Sequence, residues 1–233
     1  MAAQTQLAPS RWHVPDLPVA TAGISAVDRE TMVSADRIAT DRVGLGLLQM
    51  MESAGRELAE LTRAAPGGSA MSRKVLVLAG TGNNAGGGLV AARRLAGWGA
   101  EVCVADRSYA DLAGEAMHSE AVIDALIGYS LQGAPDDDYR PLIAMAPLGD
   151  GPVISLDLAS GIDASTGGKP GDAVIADMTL ALALPKRGTE IGVGRRSAGV
   201  RYLADIGIPA SVFVELGIEA LPDFADGPLL RLY

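Results

Sequence analysis

Residues 75–95, which read VLVLAGTGNNAGGGLVAARRL, constrain the fold of this chain more than any other stretch. A short apolar run stops at Gly80, a loop of small and amide side chains follows, and helical spacing begins near Leu89. This order predicts a strand, a glycine-rich turn and the N-terminus of a helix. Backbone N–H groups at such a turn favour an anion, and its glycines leave room for a close ligand. The stretch is therefore a candidate ligand-binding loop.

The remainder of the chain alternates between strand-like and helix-like patterns. The apolar runs predict strands at residues 74–79, 101–105, 121–126, 153–158, 178–184 and 200–206. Three- and four-residue spacings predict helices at residues 25–34, 41–64, 88–97, 112–118 and 139–145, the first of them capped by Ser25. Such alternation predicts an α/β fold with a parallel sheet and helices on both faces. Residues 1–22 are polar and interrupted by prolines, so we expect a flexible arm there and a single domain over residues 23–233.

Charge and composition narrow the class of partner. The 233-residue chain has a net charge of −9 and no long cluster of Lys and Arg, which argues against nucleic acid as a partner. No apolar run approaches the ~20 residues that span a bilayer, so we expect no membrane segment. The first residues lack the apolar stretch of a signal peptide, so a cytoplasmic location is expected. The single cysteine, Cys103, excludes an internal disulfide, and no Cys/His spacing indicates a zinc site.

Polar side chains follow three of the predicted strands. Asn83 and Asn84 come after the first strand, Asp124 lies near the end of the third, and residues 157–163 follow the fourth. In a parallel sheet these strand ends meet at one edge, where ligands bind. At that edge Asn84, Asp124 and Ser160 are candidates to offer side-chain oxygens to a hard cation, monovalent or divalent. As a set, these positions favour a binding site.

Two ionisable residues complete the same edge, because Asp157 borders the expected crevice and Lys186 comes just past another apolar run. Each candidate also has a plainer interpretation. The two asparagines suit a left-handed turn, Asp124 a helix cap, and Lys186 a surface charge beside a proline. Ser160 and the glycine after it also suit a simple turn.

The glycine-rich loop is also compatible with a different enzyme class. Residues 80–85 satisfy the relaxed G-x-G-x-x-[G/A] dinucleotide pattern, and Asp106 follows the second strand, where a ribose-binding acid would lie. A nicotinamide-dependent oxidoreductase is therefore an alternative. The chain contains no Tyr-x-x-x-Lys pair that would complete the proton relay of such a reductase.

Five segments of the chain, in order, resemble motifs of the YjeF N-terminal domain family, the NAD(P)H-hydrate epimerases. The loop of that family reads roughly G-x-G-N-N-G-G-D-G-L-V-A-A-R-x-L, and residues 80–95 here read GTGNNAGGGLVAARRL. The other similar segments are M-E-x-A-G-R at residues 51–56, D-A-L-x-G-x-G at 124–130, D-x-P-S-G-x-D-x-x-T-G at 157–167 and P-K at 185–186. The resemblance spans about residues 24–210.

The resemblance implies a three-layer αβα Rossmann-like sandwich with a mostly parallel sheet, a homodimer, and one bound potassium ion per subunit. It assigns the potassium ligands to Asn84, Asp124 and Ser160. The implied reaction is the interconversion of the R and S C6-hydrates of NADH and NADPH, a metabolite repair step. Asp157 would lie nearest to the reacting carbon, with Lys186 as a supporting cation.

The chemistry implied by this assignment needs an acid for the departing hydroxide and a base for the returning water. One carboxyl that cycles between its two forms serves both roles, and a carboxylate also stabilises the cationic ring formed in between. The nucleotide contacts that the resemblance implies are Asn83, Asn84, Ala85, Gly86, Gly87, Gly128, Tyr129, Ser130, Leu131, Gln132, Gly133, Ala134 and Asp157.

Some positions depart from the family pattern, and four of them bear on the site. Gly87 replaces an aspartate, Ser53 an asparagine, Ala159 a proline, and Tyr129 a small residue. The changes at Gly87 and Tyr129 alter both the charge and the volume of the pocket. Two further interpretations therefore remain open: a family member that acts on another small metabolite as an isomerase or cyclase of a specialised pathway, and a non-catalytic nucleotide-binding protein.

Overall fold

The structure is a computed structural model that describes residues 12, 14, 16–20, 23–65, 67–108 and 112–233. In this part of the chain the strands are β1 (Lys74–Ala79), β2 (Glu101–Ala105), β3 (Ala121–Ala125), β4 (Val153–Leu156), β5 (Met178–Leu182), β6 (Val200–Ala204) and β7 (Leu229–Arg231). The helices are α1 (Arg29–Ile38), α2 (Leu47–Ala64), α3 (Asn83–Gly97), α4 (Leu112–Met117), α5 (Arg140–Met145), α6 (Gly192–Ser197) and α7 (Ala210–Glu215). A π-helical turn (Ala39–Val43) follows α1, and 3-10 turns cover Asp137–Tyr139, Ala146–Leu148 and Arg187–Thr189.

These strands form one sheet in the order β2-β1-β3-β4-β5-β6-β7. Neighbouring strands are parallel except for β6 and β7, which are antiparallel. The chain goes from β1 to β2 on one side and returns to β3 on the other, so the strand order reverses between β1 and β3. Such a reversal opens a crevice beyond the carboxyl ends of the strands. The mostly parallel sheet is confirmed, while the short strand β7, in a segment rich in Pro and Gly, was not predicted.

Alternate residues of the central strands face two separate cores, one on each side of the sheet. Val75 and Val77 of β1 pack with buried residues of α1, α2, α3 and α7, whereas Leu76 and Leu78 pack with residues of α4 and α5. A strand buried on both faces needs apolar side chains at every position, which is why β1 reads as a continuous apolar run. The three-layer αβα arrangement is therefore confirmed.

Two predicted helices have different boundaries. Asp28, rather than Ser25, caps α1, because its carboxylate accepts a hydrogen bond from Thr31 N at 3.0 Å. The continuous helix predicted at residues 41–64 is interrupted at Gly44, whose φ is +80°. Glycine adopts this left-handed conformation without a steric penalty, and helices commonly end there.

Helix α3 begins at Asn83, although the sequence predicted a start at residue 88. The residues at 83–87 therefore form its first turns instead of a loop, and Gly82 is the N-cap residue. Glycine disfavours a helix by ~1 kcal/mol per residue, so propensity alone pointed to a later start. Packing overrides that preference, because a Cβ at Gly88 would lie 2.5 Å from the Ala125 Cβ of β3.

The strands β3, β4, β5 and β6 end one or two residues earlier than predicted. Directly after β4 and β5, Asp157 has φ +73° and Ala183 has φ +62°. Left-handed conformations of non-glycine residues cost on the order of 1–3 kcal/mol and occur often at functional sites. The two residues turn the chain away from the sheet at its carboxyl edge.

Most of residues 1–22, the predicted arm, lies outside the described residues. Described residues of this segment contact the sheet: Val14 N donates to the Tyr202 hydroxyl at 2.9 Å, Ala20 N donates to Arg231 O at 2.8 Å, and Pro18 O accepts from Arg231 N at 2.8 Å. Among the described helices, none combines the length and the apolar character needed to cross a membrane.

Candidate functional site

A cavity of about 380 Å³ lies at the carboxyl edge of the sheet, where the strand order reverses. Buried residues, among them Leu156, Asp157 and Lys186, form its floor. Its open side is lined by exposed residues, which are Leu47, Thr81, Gly82, Asn83, Ser130, Gln132, Ala134 and Asp136. The cavity therefore joins the glycine-rich turn to the ends of β3, β4 and β5, as predicted for a parallel sheet.

The two asparagines stand at the N-terminus of α3 and both line the cavity. Asn83 is exposed, whereas Asn84 is half-buried and its Nδ2 atom is buried without a hydrogen-bond partner in the structure. A buried donor without a partner is unfavourable by ~1–3 kcal/mol. The side chain of Asn84 is therefore available to a ligand, and the left-handed turn considered for these residues is not what the structure shows.

Asp124 is the last residue but one of β3 and is fully buried. Its Oδ1 accepts hydrogen bonds from Ser160 Oγ at 2.5 Å and Leu126 N at 3.3 Å. Its Oδ2 accepts from Ser155 Oγ at 2.6 Å and Ser160 N at 2.9 Å. The plainer interpretation of Asp124 as a helix cap is wrong. Its hydrogen bonds join β3 to β4 and to the loop after β4.

Burial raises the pKa of the Asp124 carboxyl, and its hydrogen bonds to Ser155 and Ser160 only partly oppose that change. In the described part of the chain it forms no ion pair with a Lys or Arg side chain. Carboxylate, hydroxyl and amide oxygens are the donors that hard cations take. The chemistry of Asn84, Asp124 and Ser160 therefore fits a hard cation, which would supply the positive charge that this carboxyl lacks.

Asp157 follows β4 and lies on the cavity floor with 2% of its surface exposed. Its backbone N donates to Leu180 O at 2.7 Å, which fixes the turned conformation described above. Its Oδ2 accepts from Tyr129 N at 2.9 Å, and its Oδ1 lies 2.5 Å from Lys186 Nζ. The carboxylate thus joins its own loop, after β4, to the loops after β3 and β5.

Lys186 has no exposed surface, so its interpretation as a surface charge is wrong. Its Nζ donates to Leu182 O at 2.8 Å and to Leu184 O at 3.2 Å, and it forms the ion pair with Asp157. Two backbone carbonyls therefore accept from the ammonium group, and the Asp157 carboxylate supplies its counter-charge. The carbonyls become available because the chain turns at Ala183, directly after β5.

One cavity residue that the sequence did not indicate is Asp36, from the last turn of α1. The Tyr129 hydroxyl donates a short hydrogen bond to its Oδ2. Burial raises the pKa of the Asp36 carboxyl, and burial together with the charge of Asp36 raises the pKa of the Tyr129 phenol. The ring of Tyr129 also lies 5.8 Å from Lys186 Nζ. No local pattern singles out Asp36, because it occurs among ordinary helix residues.

The remaining candidates divide into two groups. The cavity lining includes the following: Asn83, Asn84, Gly87, Gly128, Tyr129, Ser130, Leu131, Gln132, Ala134, Asp157 and Lys186. Ala85, Gly86 and Gly133 are not part of that lining. Ala85 is buried, and a Cβ at Gly86 would lie 2.6 Å from Met51 Sδ, so both positions serve the packing of α3.

Asp106 is placed differently from a ribose-binding acid. It is exposed after β2, and its Oδ1 accepts from Ser108 N at 2.8 Å and Ser108 Oγ at 2.7 Å. The carboxylate thus closes a local turn, and it is not part of the cavity lining. The oxidoreductase interpretation required Asp106 to bind the ribose of a dinucleotide in this cavity, and its position does not support that role.

The parallel sheet, the helix N-terminus and the cavity at the strand reversal define a three-layer α/β protein of the Rossmann-like type. Within this class the chain belongs to the YjeF-related protein N-terminus family, whose model matches residues 47–119 and 103–188.

The chain is similar over most of its length to curated members of this family. It is 40% identical over 232 residues to the NAD(P)H-hydrate epimerase of Dehalogenimonas lykanthroporepellens. The aligned region covers 90% of this chain and 93% of that protein. It is 35% identical to the NAD(P)H-hydrate epimerase of Truepera radiovictrix, over 84% of this chain and 94% of the relative. It is 30% identical to the bifunctional NAD(P)H-hydrate repair enzyme Nnr of Escherichia coli, over 74% of this chain but 38% of that longer protein.

A crystal structure from yeast, titled ynu0, has a similar fold. It matches with a TM-score of 0.74 at 20% identity, over 90% of this chain and all of the yeast chain. This likeness supports the fold.

Proposed function

We propose that this protein is an NAD(P)H-hydrate epimerase, an isomerase that interconverts the R and S C6-hydrates of NADH and NADPH in metabolite repair. Its similarity to two proteins of that name, over most of both chains, supports the assignment. The observation in the structure that carries the proposal is the buried ion pair of Asp157 and Lys186 on the cavity floor. The burial of a charged pair has a large desolvation cost, and such pairs are common in active sites.

The geometry suits the chemistry at a carbinolamine carbon. Loss of hydroxide needs a proton and leaves a cationic ring, and return of water needs a base. The Asp157 carboxylate faces a cavity lined largely by apolar groups, where a fixed charge acts strongly on a developing cation. Lys186 and Tyr129 N hold the carboxylate in one orientation.

The open side of the cavity suits the phosphates of the substrate. The N-terminus of α3 presents backbone N–H groups there, and its first residues, Asn83 and Asn84, line the cavity. A pyrophosphate at a helix N-terminus is favoured by these donors and by the helix dipole. We assign the nucleotide contacts to this turn and to the loop at residues 128–134.

A potassium ion held by Asn84, Asp124 and Ser160 is the second part of the proposal. It is supported by the fully buried carboxyl of Asp124 and by the hydrogen bonds that hold Ser160 against that carboxyl. The ion would neutralise Asp124 and stiffen the loop after β3, since Ile127 N already donates to Ser160 Oγ at 2.9 Å. We also propose a homodimer in the cytoplasm, as the family resemblance implies.

The direct test starts from a single purified hydrate epimer of NADH and of NADPH. We expect the protein to bring this epimer to the equilibrium mixture faster than the spontaneous reaction does. Chromatography measures the ratio of the two epimers over time. Asp157→Asn is expected to slow the reaction ~100-fold or more, in line with the loss of an acid/base group. Asp172→Asn, on an exposed loop, is the matched control and should leave the rate unchanged. Equilibration at the spontaneous rate with the intact protein would refute the assignment.

A second candidate function is favoured by two lining residues, Gly87 and Tyr129, where the family motifs have an aspartate and a small residue. A Cβ at Gly87 would lie 2.8 Å from Leu156 Cδ2, so α3 packs closely on β4 here and a side chain at this position requires Leu156 to move. The same catalytic floor would then act on another small metabolite as an isomerase or cyclase. Gly87→Asp tests this: if it raises the epimerisation rate of the hydrates, the natural substrate differs from them.

A further inference from the structure

The reaction proposed above requires proton transfer on both faces of the C6 carbon. If the ring stays in one orientation, a single carboxyl reaches only one of these faces. Hydroxide leaves from one face of the C6 carbon and water must arrive at the opposite face. A proton is therefore delivered on one face and removed on the other. Two proton-transferring groups on different sides of the bound ring satisfy this demand, and the second group has to line the same cavity.

Asp36 meets that requirement. It lines the cavity from α1, whereas Asp157 lines it from the end of β4, so the two carboxyls come from separate layers of the fold. Among the described residues of the cavity lining, the carboxylates are Asp36, Asp136 and Asp157, and Asp136 lies on the exposed rim. Asp36 is thus the acid available inside the cavity besides Asp157.

The surroundings of the two carboxyls differ in charge. Asp157 is paired with Lys186 at 2.5 Å, whereas Asp36 accepts its hydrogen bond from a neutral phenol, that of Tyr129. The charged groups that act on Asp36 are Lys186, which favours its ionised form, and Asp157, which opposes it. Arg29 lies near enough to act on the phenol of Tyr129. Burial dominates, and it raises the pKa of the Asp36 carboxyl.

We propose that Asp36 is a second catalytic residue, the proton donor and acceptor opposite Asp157, and that Tyr129 is the residue that positions it. The inference rests on the proposed epimerase function. Two carboxyls in different surroundings, one beside a phenol and one paired with a lysine, suit the roles of acid and base. Tyr129 joins the two, because its hydroxyl bonds to Asp36 and its backbone N bonds to Asp157.

The proton and electron changes balance without another reactant. Asp36 transfers its proton to the C6 hydroxyl, the C–O bond breaks with its electron pair on the departing water, and the ring nitrogen lone pair forms the C=N bond. Water then adds from the other side, the C=N electrons return to nitrogen, and Asp157 takes the proton of the attacking water. The opposite epimer uses the two carboxyls in exchanged roles, and solvent restores their protons between turnovers.

The test uses Asp36→Asn, Tyr129→Phe and the control Glu30→Gln, which removes an exposed carboxylate from the same helix. Starting from one epimer in ¹⁸O-water, the inversion of C6 and the incorporation of ¹⁸O are measured together. We expect Asp36→Asn to slow inversion ~100-fold with little change in KM, since it removes one acid/base group. When each epimer is used in turn, the ratio of ¹⁸O incorporation to inversion should rise for the one whose hydroxyl faces Asp157, because water lost and regained on that side exchanges oxygen without inverting the carbon.

The pH profile gives a second readout. The rate of the intact protein should fall as the pH rises through the pKa of the donor Asp36, and Asp36→Asn should lack that fall. The hydrogen bond from Tyr129 lowers the pKa of Asp36, so Tyr129→Phe should move the fall to higher pH. This conservative variant keeps the ring and the backbone N–H, so it tests the inference even if Asp36→Asn does not fold.

The possible failures are distinct. If the intact protein does not accelerate epimerisation, the proposed function fails and this inference fails with it. If the intact protein is active and Asp36→Asn retains its rate and pH profile, the inference alone is wrong. A folded Asp36→Asn that loses inversion and ¹⁸O incorporation in proportion with both epimers, or a Tyr129→Phe profile identical to that of Glu30→Gln, would also overturn it.

Discussion

The Nζ of Lys186 lies 2.5 Å from the Oδ1 of Asp157, and neither side chain is more than 3% exposed. The two residues follow adjacent parallel strands, β5 and β4, and meet beyond the carboxyl ends of both. Water does not screen this pair, so each charge depends on the other and on the carbonyls of Leu182 and Leu184.

Removal of one partner should therefore be costly for the fold. We expect Lys186→Met to lower the free energy of unfolding by ~3–5 kcal/mol, because it leaves Asp157 buried without a counter-charge. Urea unfolding measures the change, and Lys169→Met, at an exposed lysine, is the control. The double variant with Asp157→Asn should lose less than the sum of the single losses. Additive losses would show that the pair is not coupled.

The glycines of the turn before α3 provide a matched pair for a stability test. A Cβ at Gly80 would lie 1.9 Å from Leu126 O, whereas a Cβ at Gly82 would meet nothing within 4 Å. We expect Gly80→Ala to destabilise the protein by ~1–3 kcal/mol or more, because β1 and the loop after β3 must separate. Gly82→Ala should be close to neutral. Equal thermal midpoints for the two variants would contradict this account of the turn.

Glu57 on α2 should make stability depend on pH. It is 2% exposed, and burial raises the pKa of its carboxyl above the ordinary 4.5 in spite of Arg56. The folded state then binds this proton more tightly than the unfolded state, so stability falls as the pH rises from 4.5 through the raised pKa. Glu57→Gln should flatten this fall in urea titrations between mildly acidic and neutral pH. Glu60→Gln, on the same helix but less buried, should keep it.

Potassium should stabilise the protein through the proposed site at Asn84, Asp124 and Ser160. Binding to the folded state alone at ten times the Kd contributes about 1.4 kcal/mol, which raises the thermal midpoint. We expect this rise in potassium chloride relative to a tetramethylammonium salt of equal ionic strength. Asn84→Ala should abolish the difference, and Asn83→Ala, at the exposed neighbour, should keep it. An unchanged potassium response in Asn84→Ala would remove that residue from the proposed ligand set.

Local sequence patterns were enough to predict the α/β class, the mostly parallel sheet and the edge at which the site lies. These features follow from local patterns: apolar runs such as residues 74–79, the glycine-rich turn after them, and polar residues such as Asp124 and Asp157 just past successive strands. Local periodicity predicts helices and strands because the pattern of apolar residues in each recurs every few residues. It was less accurate where packing overrode propensity, as at the start of α3, where glycines lie in a helix because β3 comes so close.

Which side chains share the cavity, and how deeply each is buried, follows from the packing of the whole chain. Tyr129 and Asp36 are 93 residues apart, and no periodicity joins them. Lys186 beside a proline reads as a surface charge, yet it is fully buried because the turn at Ala183 presents two carbonyls to its ammonium group. Contacts of this kind depend on strand order and on the path of each loop. Those in turn depend on how all the elements pack together, which no short stretch of sequence specifies.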